Sequence, residues 1–224
     1  SGTGTATLSL FIAKANASVT LTDLEREFNG SAHPASAQTE PEGLGVQLTY
    51  NGSASAPAAV GTYQVAATIA DANYQGAATG TLVIRRAEVS ISLTGLHQTY
   101  DGTPRTVTAT TSPAGLPVKL LYDGGEAAPL VPGSYVITAI VDEPGYTGLA
   151  NATLVVAKAP AVIVLNNLTT TYHGAAQSPS VSTTPAGLTV NLSYNGSSAP
   201  PVNAGTYAVV ATVNDALYTG TVAG

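Results

Sequence analysis

The chain has no cysteine, no methionine and no tryptophan, and only 9% of its 224 residues are charged. Without cysteine there are no structural disulfides, no cysteine-ligated zinc site and no thiol nucleophile. Without tryptophan, a sugar-stacking platform would have to come from tyrosine or phenylalanine. The 7 Lys and Arg are too few to neutralise a run of phosphates, and the net charge of -6 disfavours nucleic acid and anionic membrane surfaces alike. No run of about 18 apolar residues is present, so no segment reads as a membrane-spanning helix. No signal peptide is recognisable. Ser1, in a chain without methionine, fits a window on a longer polypeptide.

What is present points to short strands. Apolar residues make up 44% of the chain, mainly Ala, Val, Leu and Ile with abundant Thr beside them, and 23 Gly and 14 Pro supply turns. The sequence then repeats itself. Phe28-Asn29-Gly30 returns as Tyr100-Asp101-Gly102 and Tyr172-His173-Gly174, a step of 72 each time (100 − 28 and 172 − 100). Tyr50-Asn51-Gly52 returns as Tyr122-Asp123-Gly124 and Tyr194-Asn195-Gly196, and Gly61-Thr62-Tyr63 as Gly133-Ser134-Tyr135 and Gly205-Thr206-Tyr207. Pro41, Pro113 and Pro185 share a position, as do Tyr74, Tyr146 and Tyr218. A unit of this length is a small domain rather than a solenoid turn.

The register defines repeats over residues 14–85, 86–157 and 158–224. Residues 4–12 match 76–84, so residues 1–13 read as the last strand of a preceding repeat, and the third repeat is expected to lack its own last strand. Within a repeat the apolar period is two, as in Val46, Leu48 and Tyr50 or Tyr63, Val65, Ala67 and Ile69, which means strands. Asn-Gly or Asp-Gly directly after a strand suits a turn with positive φ, including type I′. The expected fold is all-β: tandem immunoglobulin-like sandwiches of six or seven strands each. No Gly/Ser or Pro-rich linker separates Leu82-Val83-Ile84 from Val89-Ser90-Ile91, so the modules should not hinge freely. A strand from Gly61 to Asp71 spans roughly 33 Å at about 3.3 Å per residue. Modules laid end to end then give an elongated rod on the order of 100 Å. A domain of this size is marginal alone, so docking between neighbours should matter.

Candidate chemistry is sparse. The 11 Tyr together with Phe28 fill four positions in each repeat, so every Tyr has a repeat-wide role, read as core packing with its hydroxyl satisfied at the edge. His33, His97 and His173 do not repeat and read as surface loop residues. Asp71, Glu143 and Asp215 share a position at the end of a strand, with Asp142 adjacent in the second repeat. A weak Ca2+ site is conceivable there, but calcium takes about six to eight oxygens, and a turn carboxylate accepting backbone N–H bonds is the simpler reading. Glu40 and Glu42 have no counterparts, which weakens a catalytic pair. No Gly-x-Ser-x-Gly elbow and no phosphate loop occur. Catalytic, cofactor and metal residues are therefore expected to be none. Lys14, Arg86 and Lys158 share a junction position, and the Arg argues against a Lys–Asn cross-link as a general device.

Tyr100-Asp101-Gly102, the Pro113-Ala114-Gly115-Leu116 run, Gly205-Thr206-Tyr207, Asn214-Asp215 and Tyr218-Thr219-Gly220 together carry a resemblance. The chain resembles MBG-type repeats, immunoglobulin-like modules strung together in very large bacterial surface proteins and adhesins. The first repeat departs at Phe28, which has no hydroxyl, and at Glu42 within Pro41-Glu42-Gly43-Leu44. The resemblance implies an extracellular, surface-attached spacer whose partners are neighbouring repeats, with any host or matrix ligand bound by other domains. It implies no catalytic residues. The alternative is an adhesive module whose loops, such as 52–57 and 124–129, contact glycan or host protein. Strand addition, with the head of one molecule completing the tail of another, is a further expectation of the register.

Overall fold

A computed structural model describes residues 9–224. The first repeat contains β1 (Ala15–Asn16), β2 (Ser18–Thr22), β3 (Glu25–Glu27), β4 (Ser36–Glu40), β5 (Val46–Tyr50), β6 (Gly61–Ile69), β7 (Tyr74–Gln75) and β8 (Ala77–Arg85). β2 and β4 form one antiparallel sheet, with Val19 opposite Thr39 and Leu21 opposite Ala37. The second sheet has the order β3-β8-β6-β5. In it, β3 lies parallel to β8, while the β8–β6 and β6–β5 pairs are antiparallel. β1 runs parallel to β7 at the edge. The alternating apolar residues meet between the sheets: Leu21 of β2 packs against a buried cluster of Ala35, Tyr50, Val65, Leu82 and Ile84. Leu82 and Ile84 of β8 are 0% and 1% exposed, a burial worth about 1.5–3 kcal/mol per side chain. The sandwich expected from the period-two pattern is thus present, and the fold is all-β.

The second repeat carries the same elements as β9 (Ala87–Glu88), β10 (Ser90–Thr94), β11 (His97–Thr99), β12 (Thr108–Ser112), β13 (Lys119–Tyr122), β14 (Gly133–Glu143) and β15 (Tyr146–Ala157). Its main sheet repeats the first as β11-β15-β14-β13. Val107, Tyr122, Ile137, Leu154 and Val156 fill its core. The third repeat has β16 (Ala159–Pro160), β17 (Val162–Asn166), β18 (Ser180–Thr184), β19 (Val190–Tyr194), β20 (Val209–Val213), β21 (Tyr218–Thr219) and β22 (Thr221–Ala223). β22 pairs with β20 and is the opening of the closing strand, so the third repeat holds the start of that strand rather than none of it. The chain divides into two compact units, Ser1–Ser90 with Val141–Gly148, and Ile91–Ile140 with Leu149–Gly224.

The turn after β5 shows why its sequence recurs. Asn51 has φ 47 and Gly52 φ 87, the two positive values that a type I′ turn requires. Tyr50 and Ser53 exchange backbone hydrogen bonds of 2.7 and 2.9 Å across it. Asn51 also donates its N–H to the Gln64 carbonyl at 2.8 Å and accepts the Gln64 N–H on Oδ1 at 2.8 Å. Its side chain therefore extends the strand pairing by one residue where the backbone has already turned away. Asp123 with Val136, and Asn195 with Ala208, do the same. Only a short side chain with an acceptor oxygen can do this, and only Asn and Asp occur at the position.

Of the expected orphan strand, residues 1–8 lie outside the described residues, and Ser9–Lys14 adopt no strand. Leu10, Phe11 and Ile12 are 87%, 87% and 82% exposed.

Candidate functional site: an aromatic seam between repeats

The four aromatic positions of a repeat divide into three kinds. Tyr50, Tyr122 and Tyr194 are core residues. The Tyr50 hydroxyl accepts the Ala35 N–H at 2.9 Å, and the Tyr122 hydroxyl accepts the Val107 N–H at 3.3 Å. Tyr194 instead donates to Ser178 Oγ at 2.7 Å. Tyr63 and Tyr135 are half-buried against the cores of their repeats, and Tyr207 is half-buried at the same position. Each donates its hydroxyl to the carbonyl four residues upstream, on Ala59, Val131 and Asn203.

The remaining two positions add a contact to a neighbouring repeat. The Phe28 ring of the first repeat meets the Tyr146 ring of the second edge-on, at a centroid separation of 5.3 Å and an interplanar angle of 89°. The Tyr100 ring of the second repeat meets Tyr218 of the third in the same way, at 5.8 Å and 90°. Edge-to-face geometry places a positive ring edge on a negative ring face, worth about 0.5–1.5 kcal/mol beyond area burial. The expectation that the tyrosines pack on their own core holds at Tyr100 and Tyr218, as it does for the Phe28 ring, and these rings in addition meet a ring of the neighbouring repeat. Phe28 serves as well as Tyr100 because the contact is made by ring carbons, so the missing hydroxyl costs nothing there.

Space for the seam is built into the facing turn. A Cβ on Gly145 would lie 2.6 Å from Phe28 Cζ and nearer still to Cε1 and Cδ1, so glycine admits the ring. Leu217 stands at the same position in the third repeat, where the ring separation is wider. The partner turn is fixed from below by its acid. Asp71 Oδ1 accepts the N–H groups of Asn73 and Tyr74 at 2.7 and 3.0 Å, and Asp215 Oδ1 accepts those of Leu217 and Tyr218 at 2.7 and 3.0 Å. These are the turn carboxylates expected from sequence. Lys14 Nζ donates to the Asp71 carbonyl and Lys158 Nζ to the Asp215 carbonyl, each at 2.6 Å. In the second repeat Arg86 pairs instead with the Asp142 carboxylate at 2.5 Å, beside Glu143. The shared junction cation thus pins the turn that presents the seam tyrosine, a use that the sequence alone does not reveal. Among the described residues, no group of three or more His, Asp or Glu could hold a metal ion.

His33 corrects a second expectation. It is only 8% exposed, where a surface loop residue is expected. Its N–H donates to the Pro57 carbonyl at 2.9 Å, which draws the loop inward, and its Nε2 is buried without a partner. Arg105 and Gln177 make the same backbone bond, to Pro129 and Pro201. The position is thus set by the backbone and its side chain is free to vary. Arg105 in addition pairs with Asp101. That guanidinium, helped by the Thr103 hydroxyl and N–H, holds the Asp101 carboxyl down at about 2.

Repeating two-sheet sandwiches, joined without linkers and paired through one recurring ring contact, define a tandem all-β repeat protein. The family model for the MBG domain matches residues 17–88, 89–160 and 161–224. The chain belongs to the MBG domain family as three tandem domains. No curated protein matches it.

Proposed function

We propose that the chain is a spacer: MBG repeats of a large bacterial cell-surface adhesin, outside the cell, that hold a distal binding domain away from the surface. The observation that carries this reading is the pairing of the same two ring positions across both junctions, Phe28 with Tyr146 and Tyr100 with Tyr218. A spacer needs its modules to resist bending at the joints. Here each joint has a strand running into the next module without linker, an edge-on ring pair and a pinned turn. The recurring polar side chains are engaged in turns and strand ends, which suits a structural role rather than a catalytic one. Small-angle scattering on the chain and on versions lengthened by one repeat tests the proposal. An elongated particle that gains a constant increment per repeat is expected. A particle that folds back or hinges freely overturns it.

A further inference from the structure

The triplet Asn-Gly-Ser stands at Asn29-Gly30-Ser31, Asn51-Gly52-Ser53 and Asn195-Gly196-Ser197. An asparagine before glycine can close on itself. The glycine nitrogen reaches the side-chain Cγ because no Cβ on the next residue obstructs it. The triplets are identical, so their intrinsic chemistry is the same and a difference in rate must come from the fold. All three asparagines are exposed, so access to water does not separate them.

They differ in where the carboxamide is held. Asn51 donates its own N–H to the Gln64 carbonyl and accepts the Gln64 N–H on Oδ1, each at 2.8 Å. Its amide and its side chain thus face the same neighbour, and Cγ is turned back, away from the Gly52 nitrogen. Ala208 fixes Asn195 in the same way, at 2.9 and 2.8 Å. Both turns are also clamped by the paired backbone bonds of Tyr50 with Ser53 and Tyr194 with Ser197. Asn29 lies in the loop after β3, outside any strand. Its Oδ1 accepts the N–H of Ser31, two residues ahead, at 2.9 Å. That Asx turn bends the carboxamide forward over the Asn29–Gly30 peptide. Cγ is carried toward the Gly30 nitrogen, and the bond to Oδ1 polarises it for attack.

We propose that Asn29 is a site of spontaneous deamidation, and that one of its products loosens the seam beside it. The Gly30 nitrogen gives its proton to hydroxide and bonds to Cγ. The Cγ–Nδ2 bond breaks and ammonia leaves with a proton from water. Water then opens the cyclic imide at either carbonyl. Opening at Cγ gives aspartate. Opening at the main-chain carbonyl gives isoaspartate, with the chain now running through Cβ. Aspartate fits: Asp101, at this position in the second repeat, accepts the Thr103 N–H at 2.9 Å just as Asn29 accepts that of Ser31. Isoaspartate inserts a carbon into the main chain directly after Phe28. The Phe28 N–H is bonded to the Arg85 carbonyl, and its ring is set edge-on against Tyr146. The extra length falls where the seam needs a fixed backbone.

Incubating the folded chain at mildly alkaline pH, with each site followed by fragment-ion mass spectrometry, tests this. Asn29 should convert at least about tenfold faster than Asn51 and Asn195. In concentrated urea the three sites should react at similar rates, because the triplets are alike. Equal rates in the folded chain overturn the proposal, and so does a lead for Asn29 that survives unfolding. N29D should keep the nuclear Overhauser contact between the Phe28 and Tyr146 rings, and the isoaspartate form, separated by chromatography, should lose it. A contact of full strength in the isoaspartate form overturns the link to the seam.

Discussion

Replacing Gly145 by alanine probes the seam with a single atom. The added Cβ would lie 2.6 Å from Phe28 Cζ and nearer still to Cε1 and Cδ1, far inside van der Waals contact. The ring cannot simply retreat. It is set edge-on against Tyr146, and the Phe28 N–H is bonded to the Arg85 carbonyl at 2.8 Å. Overpacking of this kind costs about 1–3 kcal/mol, and a displaced ring also forfeits part of the about 0.5–1.5 kcal/mol of the aromatic pair. One effect opposes these. Gly145 lies outside the left-handed region, so alanine would otherwise stabilise by about 0.4–1 kcal/mol by narrowing the unfolded ensemble. The steric cost is the larger, and G145A should destabilise. In the F28A background the ring is gone, and G145A should be neutral or mildly stabilising. Urea unfolding of the four proteins in a double-mutant cycle, followed by tyrosine fluorescence, measures the coupling. An array of domains need not unfold in one step, so the transition of the first repeat is the one to compare. An equal cost of G145A with and without the Phe28 ring would refute the seam.

Other outcomes follow from single contacts. Y50F keeps the buried ring but leaves the Ala35 N–H without its acceptor, and should cost about 1–3 kcal/mol of the first repeat's stability by denaturant titration. Y63F removes only an exposed hydroxyl bond to Ala59 and should cost less. The carboxyl of Asp101 is lowered from 3.8 to about 2 by Arg105 first and Thr103 second. A depressed carboxylate stabilises above its unfolded value, and the contribution disappears as pH falls from near 4 to near 2. Comparing D101N with the parent over that range should show a small difference at pH 5 that shrinks as the pH falls toward 2. A difference unchanged by acid would mean that the ion pair is not its source.

The repeat itself is legible in the sequence because its signals are local. The step of 72, the period-two strands and the Asn-Gly or Asp-Gly turns each depend on residues close in sequence, and the structure places them as expected. Which tyrosines also join the seam is not legible. All four positions recur at the same step, so recurrence cannot separate them. The pairs that meet are 118 apart (146 − 28 and 218 − 100), which is no multiple of 72. The contact therefore leaves no trace in the register. Gly145, where the other repeats carry Asn73 and Leu217, looks like ordinary turn variation until the Phe28 ring is seen beside it. The burial of His33 is hidden for a related reason. The three repeats share a loop path, set by the backbone bond to Pro57, Pro129 or Pro201, and the unlike side chains at 33, 105 and 177 mask it. The junction cations Lys14, Arg86 and Lys158 stand out in the register, but their targets, two carbonyls and one carboxylate, are visible only once the turns are folded.

The claim that rings join the repeats can be read directly in solution. The chain has only two phenylalanines, so nuclear Overhauser contacts from the Phe28 ring are readily assigned. Cross-peaks from Phe28 to the Tyr146 ring, and from Tyr100 to Tyr218, are expected at centroid separations of 5.3 and 5.8 Å. Rings that show contacts only within their own repeat would contradict the account.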